Sequence, residues 1–282
     1  NSRRCFLEAN WETIKRLSMR EIKGVAPLMV YAVWKRHADV WVRTWKTNLL
    51  PPLVEPILYL LGFGFGVGAY INEMGGVSYV EYIAPSILAI SMMFGAFFEA
   101  TYSAFVRMYY QKTWQAIAAT PASATDVLVA ELAWATTKSM SNATLMTIAI
   151  LSVGLVVDKP LISISGAILM PIVAIPVGLM FAGMGLILTS YTPSIDWFNI
   201  PFFLFINPMF ILAGTFFPID EFPPVAQNIA MCLPLTHAAL ITRSIAYGNG
   251  LENLEVSLLY ILFMAFTMTY LGVKLCRKRI VT

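Results

Sequence analysis

Ile162-Ser-Ile-Ser-Gly-Ala-Ile-Leu-Met-Pro-Ile-Val-Ala-Ile-Pro-Val-Gly-Leu-Met-Phe-Ala-Gly-Met-Gly-Leu-Ile-Leu-Thr189 decides what kind of molecule this is. No Asp, Glu, Lys or Arg stands between Lys159 and Asp196. An apolar run of about 20 residues is what crosses bilayer hydrocarbon as a helix. Runs of this kind recur at 49–70, 82–106, 127–156, 162–189, 198–217 and 254–274. The composition agrees, since 58% of the 282 residues are hydrophobic and 12% charged, against about 25% charged in a soluble domain. Pro and Gly are dispersed, which excludes fibrous and disordered classes. The expected fold is an all-α membrane protein with six transmembrane helices. Residues 1–48 form an N-terminal segment with an amphipathic interfacial helix, and residues 49–282 the six-span domain. Little length remains for a soluble catalytic domain.

The net charge of +3 matters less than its placement. Ten of the 19 Lys and Arg residues precede the first apolar run: Arg3, Arg4, Lys15, Arg16, Arg20, Lys23, Lys35, Arg36, Arg43 and Lys46. Six spans put this segment, the 107–126 loop with Arg107 and Lys112, and the tail with Lys274, Arg277, Lys278 and Arg279 on one side. The other side receives Lys159 and Arg243, with Glu73, Glu81, Asp158, Asp220, Glu221, Glu252 and Glu255. The positive-inside rule then places both termini in the cytoplasm and the chain in the cell's inner membrane as a multi-pass protein. Anionic headgroups account for the cations, so nucleic acid is not an expected partner. No signal peptide is recognisable before residue 49; the start at Asn1 rather than Met implies a processed or missing N-terminus. Of Cys5, Cys232 and Cys276 only Cys232 faces outward in this topology, so no intrachain disulfide is expected. His37 and His237 are the only histidines, and no Cys–His metal spacing exists.

Within 28–47, Trp34, Ala38, Trp41 and Trp45 recur at helical spacing, while Lys35, Arg36, Asp39, Arg43 and Lys46 face elsewhere. Such a helix is expected to lie flat at the membrane surface. Leu7, Trp11, Ile14 and Ser18 sketch a weaker amphipathic turn upstream. The first span opens on Pro51, Pro52, Glu55 and Pro56, passes Tyr59, and continues through Gly62, Gly64, Gly66 and Gly68. Without a preceding strand or a Lys-Ser/Thr pair these glycines are no phosphate loop. Four-residue spacing of small residues instead suits close helix packing in lipid.

Glu99, Glu131 and Lys138 fall inside spans two and three. Glu99 lies about 12 Å above Arg107, and Lys138 about 18 Å into its helix, at 1.5 Å per residue. Ionisable groups at such depth pair or line an aqueous path. Two readings stand open: Glu99 and Lys138 meet, positioning the two spans or lining a route, or Glu131 and Lys138 reach separately for headgroups. Pro171 and Pro176 in span four, and Pro201 and Asn207-Pro208 in span five, suit helices that bend. Residues 218–250 lie between spans five and six yet stay apolar. Two short re-entrant helices broken at Leu233-Pro234 fit them, with His237 and Arg243 on the second. His237 could carry a ligand or proton, but a lone interfacial histidine is more simply structural.

Tyr109-Tyr-Gln-Lys-Thr-Trp-Gln-Ala-Ile-Ala-Ala-Thr-Pro121 is helix-compatible. Thr113 can cap a helix over Trp114–Ala119 that Pro121 ends, presenting Trp114 and Ile117 on one face at the membrane surface. The chain carries no phosphate loop, zinc motif or Ser-His-Asp set, so its energy must come from a partner or an ion gradient. A lipid-modifying enzyme would need a convergent acid–base or metal set, which is missing.

Five segments carry a family resemblance: Pro56-Ile-Leu-Tyr-Leu-Leu-Gly62, Phe98-Glu99-Ala-Thr-Tyr-Ser-Ala-Phe105, Thr113-Trp114, Glu131-Leu-Ala-Trp-Ala-Thr-Thr-Lys138 and Leu233-Pro-Leu-Thr-His237. In order and at matching intervals they resemble the membrane subunit of type-2 ABC exporters, in particular the NodJ-type permeases of lipo-oligosaccharide export. The resemblance spans roughly residues 30–280. It implies a non-enzymatic permease that pairs with a second copy of itself and with two separate ATPase subunits, which would bind ATP and Mg. Lys112, Thr113, Trp114, Gln115, Ile117, Thr120 and Pro121 would then form the coupling helix, and the Trp34–Trp41–Trp45 helix the connecting helix. Pro234, His237 and Arg243 would belong to the external re-entrant pair. The substrate would be an amphipathic molecule (a lipid-linked oligosaccharide, glycolipid or hydrophobic drug) passing Tyr59, Phe94, Phe98 and Tyr102. The rival is an ion-coupled carrier or channel using Glu99 and Lys138, which works without an ATPase.

Overall fold

The computed structural model describes residues 25–71, 73–74, 76–248 and 254–281. Cys5 and the amphipathic turn read at Leu7, Trp11, Ile14 and Ser18 lie outside the described residues, as does the side chain of Glu55. Helix α1 (Pro27–Arg43) breaks at Thr44 into α2 (Trp45–Leu61), which widens into a π-turn over Gly62–Val67. Then follow α3 (Tyr79–Tyr110), the short α4 (Thr113–Ala118), α5 (Ala124–Val157), α6 (Ile164–Tyr191) and α7 (Ile195–Leu212). The short α8 (Pro224–Cys232) and α9 (Pro234–Tyr247) precede α10 (Leu254–Val281).

Five of these, α3, α5, α6, α7 and α10, are long and apolar enough to cross a membrane; the α8–α9 pair, bent by 83° at Leu233-Pro234, makes up to six. The span expected at 49–70 differs. Its helix starts earlier, at Trp45, and its apolar part is the shorter stretch Pro56–Val67. Lys46, Asn48 and Glu55 dilute the first turns, and the glycines loosen the last ones. The fifth span ends at Leu212 rather than 217. Gly214, at φ +69°, then turns the chain, and only glycine adopts such an angle without strain.

Sequence dictates the helix ends where they are sharpest. Ser123 and Asp126 cap α5 reciprocally: Ser123 Oγ accepts from Asp126 N at 3.1 Å and Asp126 Oδ2 from Ser123 N at 2.8 Å. This box satisfies two otherwise orphaned donors. The other Asp126 oxygen accepts from Ala26 N at 2.8 Å, fastening the start of α1 to the start of α5. Ser78 and Glu81 form the same box on α3. Pro85 in α3 and Pro171 and Pro176 in α6 sit within helices that neighbouring helices support.

Small residues bring the helices of the bundle together, most closely at α6. A Cβ at Gly183 of α6 would stand 2.6 Å from the backbone of Met268 and Thr269 on α10, and one at Gly272 would stand 2.9 Å from Gly183 O. Gly178 meets Ser139 of α5, and Gly185 meets Ala100 of α3, each at 2.8 Å. Between these seams, Ser139 Oγ donates to Met92 O at 3.0 Å and Thr189 Oγ1 to Ala100 O at 2.8 Å. Of the glycines expected to pack helices, Gly62 and Gly66 have open space around them, whereas buried Gly64 meets Val80 of α3 at 3.4 Å. The reason is tertiary, because the glycines that matter face a neighbouring helix backbone.

Gly183→Ala is therefore expected to cost about 1–3 kcal/mol through overpacking, and Gly62→Ala to leave stability unchanged. Thermal unfolding of the two purified variants compares them; an equal loss at Gly62 would contradict this packing.

Candidate functional site: a buried charge network at the base of the short helix

The charged residues read from the sequence come together at one end of the bundle, around a cation that sequence reasoning had used only for topology. Arg107 closes α3 and lies between two carboxylates. Its Nη1 donates to Glu99 Oε1 at 2.7 Å, its Nε to Glu131 Oε1 at 3.0 Å and its Nη2 to Glu131 Oε2 at 2.5 Å. The Glu131 contact is bidentate, the geometry in which guanidinium and carboxylate match best. Side-chain exposures are 12% for Arg107, 10% for Glu99 and 1% for Glu131.

Backbone irregularity supports this geometry. In a regular helix, residues eight apart overshoot two turns by about 80°. The π-turns Glu99–Ser103 and Val106–Tyr110 widen the repeat, and Glu99 and Arg107 come to one side. Such bulges recur at functional positions.

Four elements meet here. Trp114 of α4 donates its indole N–H to Glu131 Oε1 at 2.8 Å, Trp134 of α5 donates to Glu99 Oε1 at 3.1 Å, and His37 Nε2 of α1 lies 3.3 Å from Glu131 Oε1. The His37 and Trp134 rings lie 5.9 Å apart. His37, Arg107 and Trp134 were missed as site residues; the placement of Trp134 three residues after Glu131, on the same helix face, was the available signal.

The face shared by Trp114 and Ile117 exists, but it is turned inward. Trp114 is 1% exposed, and Ile117 packs against the core. Burial follows from chemistry, since the indole ring fills the apolar space beneath α4 and its N–H needs an acceptor there. The exposed edge is Lys112, Gln115, Ala116, Ala119, Thr120 and Pro121. Thr113 is buried and opens the helix without capping it; Lys112, at φ 51°, holds the cap position. Exposed Tyr109 and Tyr110 extend the same edge.

Helix α1 also differs from expectation. Its buried face is Val33 and His37, turned to α5. Trp34 Nε1 donates to Thr137 Oγ1 at 3.0 Å, Trp41 lies beneath Lys138, and of the three tryptophans Trp45 is the exposed one. The open question of a Glu99–Lys138 pair is answered by distance: Glu99 bonds Arg107 and Trp134, and Lys138 Nζ stands 5.6 Å from the Trp41 ring centroid.

Tyr59, Phe94, Phe98 and Tyr102 do fall on one aromatic surface. Phe94 and Phe98 stack at 5.3 Å, and Phe98 and Tyr102 lie 5.8 Å apart. Helix α7 continues it with Phe202, 5.6 Å from Phe98, and Phe198, 5.1 Å from Tyr102. Tyr59 joins through Phe210 at 5.6 Å.

At the opposite end, Arg243 Nη2 donates to Gly214 O at 2.5 Å and its guanidinium stacks 3.9 Å from the Tyr82 ring. His237 contacts Ser257 Oγ at 3.1 Å and Met231 O at 2.9 Å, and stacks on Tyr260. Both ring nitrogens are thus engaged in tying α8 and α9 to α10. Pro234 opens α9 at the bend. Among the described residues no group of three or more His, Cys, Asp or Glu is placed to hold a metal ion.

A bundle of apolar helices, five of them long and apolar enough to cross a membrane, defines a multi-pass membrane protein. Its family follows from comparison: residues 29–247 match the ABC-2 type transporter family, and the chain belongs to it. It is similar to nodulation protein J of Rhizobium leguminosarum bv. viciae, 36% identical over 222 residues, 79% of this chain and 83% of the relative. Nodulation protein J of Rhizobium meliloti (strain 1021) is 32% identical over 249 residues, 88% and 93% of the two chains. The inner membrane transport permease YadH of Escherichia coli (strain K12) is 20% identical over 207 residues, 73% and 78% of the two chains. The protein is a membrane permease of ABC-exporter type.

Arg107→Met strands two buried carboxylates and is expected to cost about 3–5 kcal/mol, whereas Glu99→Gln keeps the Glu131 contacts and costs less. Chemical or thermal unfolding in detergent ranks the two. A Met variant no worse than the Gln variant would remove Arg107 from the centre of the network.

Proposed function

We propose that the chain is the transport half of an exporter driven by a separate ATPase, acting as two copies with two ATPase subunits that hold ATP and Mg. The observation that carries this reading is α4: a six-residue helix whose inner face is anchored by Trp114 to Glu131 and whose outer edge is unoccupied in the chain. A helix this short does not persist alone. Its anchoring makes it a firm contact point, and Lys112, Gln115, Thr120 and Pro121 offer a polar edge to a soluble partner.

In the proposed mechanism, ATPase closure displaces α4. Trp114 passes the displacement to Glu131 on α5 and, through Arg107, to Glu99 on α3, so the two spans move together. The aromatic surface of Tyr59, Phe94, Phe98, Tyr102, Phe198 and Phe202 would contact the apolar portion of the substrate. Its chemistry fits an amphipathic molecule, and the similarity to nodulation protein J favours a lipid-linked oligosaccharide within that class. Both termini and α4 would face the cytoplasm of an inner membrane, as the cation placement requires. Helices α8 and α9 would dip into the outer leaflet as a re-entrant pair. An ion-coupled carrier is less well supported, because Glu99 is committed to Arg107 and Trp134 rather than open to an ion path.

Co-expression with a candidate ABC ATPase subunit tests the reading. The ATPase is expected to co-purify with the permease. Gln115→Glu combined with Thr120→Glu is expected to weaken that association about tenfold, equivalent to about 1.4 kcal/mol. Trp114→Phe is expected to retain the ATPase but to uncouple ATP turnover from transport. Transport that persists with no ATPase bound would sink the proposal.

A further inference from the structure

Lys138 is the buried cation that the Arg107 network does not use. It is 8% exposed, and among the described residues no carboxylate lies within 4.0 Å of its Nζ. The group facing it is the Trp41 ring, 5.6 Å away on α1. Trp41 adds a second donor: its indole Nε1 is buried and donates to no acceptor. The Lys138 ammonium thus rests over the Trp41 ring at the seam between α1 and α5, and neither it nor the indole N–H has a hydrogen-bond acceptor among the described residues. Arg243, the buried cation at the other end, is received by the Gly214 carbonyl and the Tyr82 ring, with only its Nε left without a hydrogen-bond partner.

Unmade hydrogen bonds of this kind are costly in a low-dielectric site. The missing acceptor must be anionic to suit the ammonium, compact to fit a seam, and attached to something apolar, because the seam is lined by α1 and a membrane-crossing helix. The exposed residues of α1 and the first turn of α2 add a field of the same sign: Lys35, Arg36, Arg43 and Lys46 against the single Asp39. Such a surface concentrates anionic lipids, and an ammonium is a common phosphate ligand.

We propose that Lys138 and Trp41 form a binding site for the phosphate of an anionic phospholipid, seated between α1 and α5. The lipid phosphate accepts from Lys138 Nζ and Trp41 Nε1 and its acyl chains run along α5. This bound lipid joins α1 to the span that carries Glu131, whatever substrate the permease exports. Glu99 is the competing counter-charge for Lys138, but neither of its carboxylate oxygens lies within 4.0 Å of Nζ, and its ion pair is with Arg107.

The test uses the full chain in nanodiscs of phosphatidylcholine alone or with about one-fifth phosphatidylglycerol, read by native mass spectrometry of retained lipid and by thermal unfolding. The native chain is expected to retain phosphatidylglycerol and to melt higher when it is present. Trp41→Phe, which keeps the ring and loses only the N–H, and Lys138→Gln are each expected to cut retention about tenfold and to abolish the stabilisation. Lys138→Arg is expected to preserve both. Lys35→Gln with Arg36→Gln, which alters only the exposed face, is expected to leave most retention in place. Retention unchanged in Trp41→Phe and Lys138→Gln overturns the proposal, and Lys138 then only balances Glu99. Should Lys138→Gln fail to fold, Trp41→Phe decides the matter alone. Inorganic phosphate that stabilises the native chain equally in phosphatidylcholine nanodiscs would also overturn it, by showing that the acceptor need not be a lipid.

Discussion

Arg107 between Glu99 and Glu131 is the constraint on which one whole end of the molecule depends. Three charged side chains are withdrawn from water there, an arrangement that holds only when geometry is good and the remaining donors and acceptors are satisfied. Here Trp114 from α4 and Trp134 from α5 donate to the two carboxylates, and His37 from α1 stands 3.3 Å from Glu131. Moving α4 or α5 leaves a buried carboxylate short of a donor. The network therefore fixes α1, α3, α4 and α5 relative to one another more specifically than apolar packing alone would.

The middle of the bundle uses different physics. In lipid, the hydrophobic effect gives helices no reason to associate, so close backbone approach and interhelical hydrogen bonds take over. Gly178, Gly183, Gly185 and Gly272 allow that approach. Ser139 and Thr189 spend their hydroxyls on backbone carbonyls of α3 rather than on each other. The aromatic surface shared by α2, α3 and α7 remains outside this tightly packed group, and many of its rings are only partly buried. A rigid core of α3, α5, α6 and α10 thus carries a softer aromatic flank.

Much of this was legible in the sequence wherever the signal was local. Apolar runs located the long helices, because run length is a property of the segment itself. Leu233-Pro234 located the bend between α8 and α9, because proline cannot continue a helix there. The first span was misread in length, since Lys46, Asn48 and Glu55 interrupt its hydropathy and its last turns are glycine-rich. Partner identities were less legible. By depth Glu99 could meet Lys138, yet π-turns in α3 bring Arg107 to it instead. Trp114 was assigned to the right face of the right helix. Which way that face points depends on Glu131, seventeen residues on and in another helix.

The inward turn of Trp114 changes what α4 can transmit. A tryptophan on the outer surface would serve as a docking contact, and its loss would weaken binding. A tryptophan buried against Glu131 serves instead as a link between whatever binds outside and the charges inside. Because Glu131 accepts from Arg107 as well as from Trp114, a displacement of α4 cannot be absorbed by rotating one side chain; it must shift α5, or break a bidentate pair in a water-poor site. Shifting the helix is the less costly course when the alternative strands a buried charge. Small movements at the α4 edge should therefore reach α3 and α5 as movements of whole helices, and the tight glycine contacts of α6 with α3, α5 and α10 would carry them across the core.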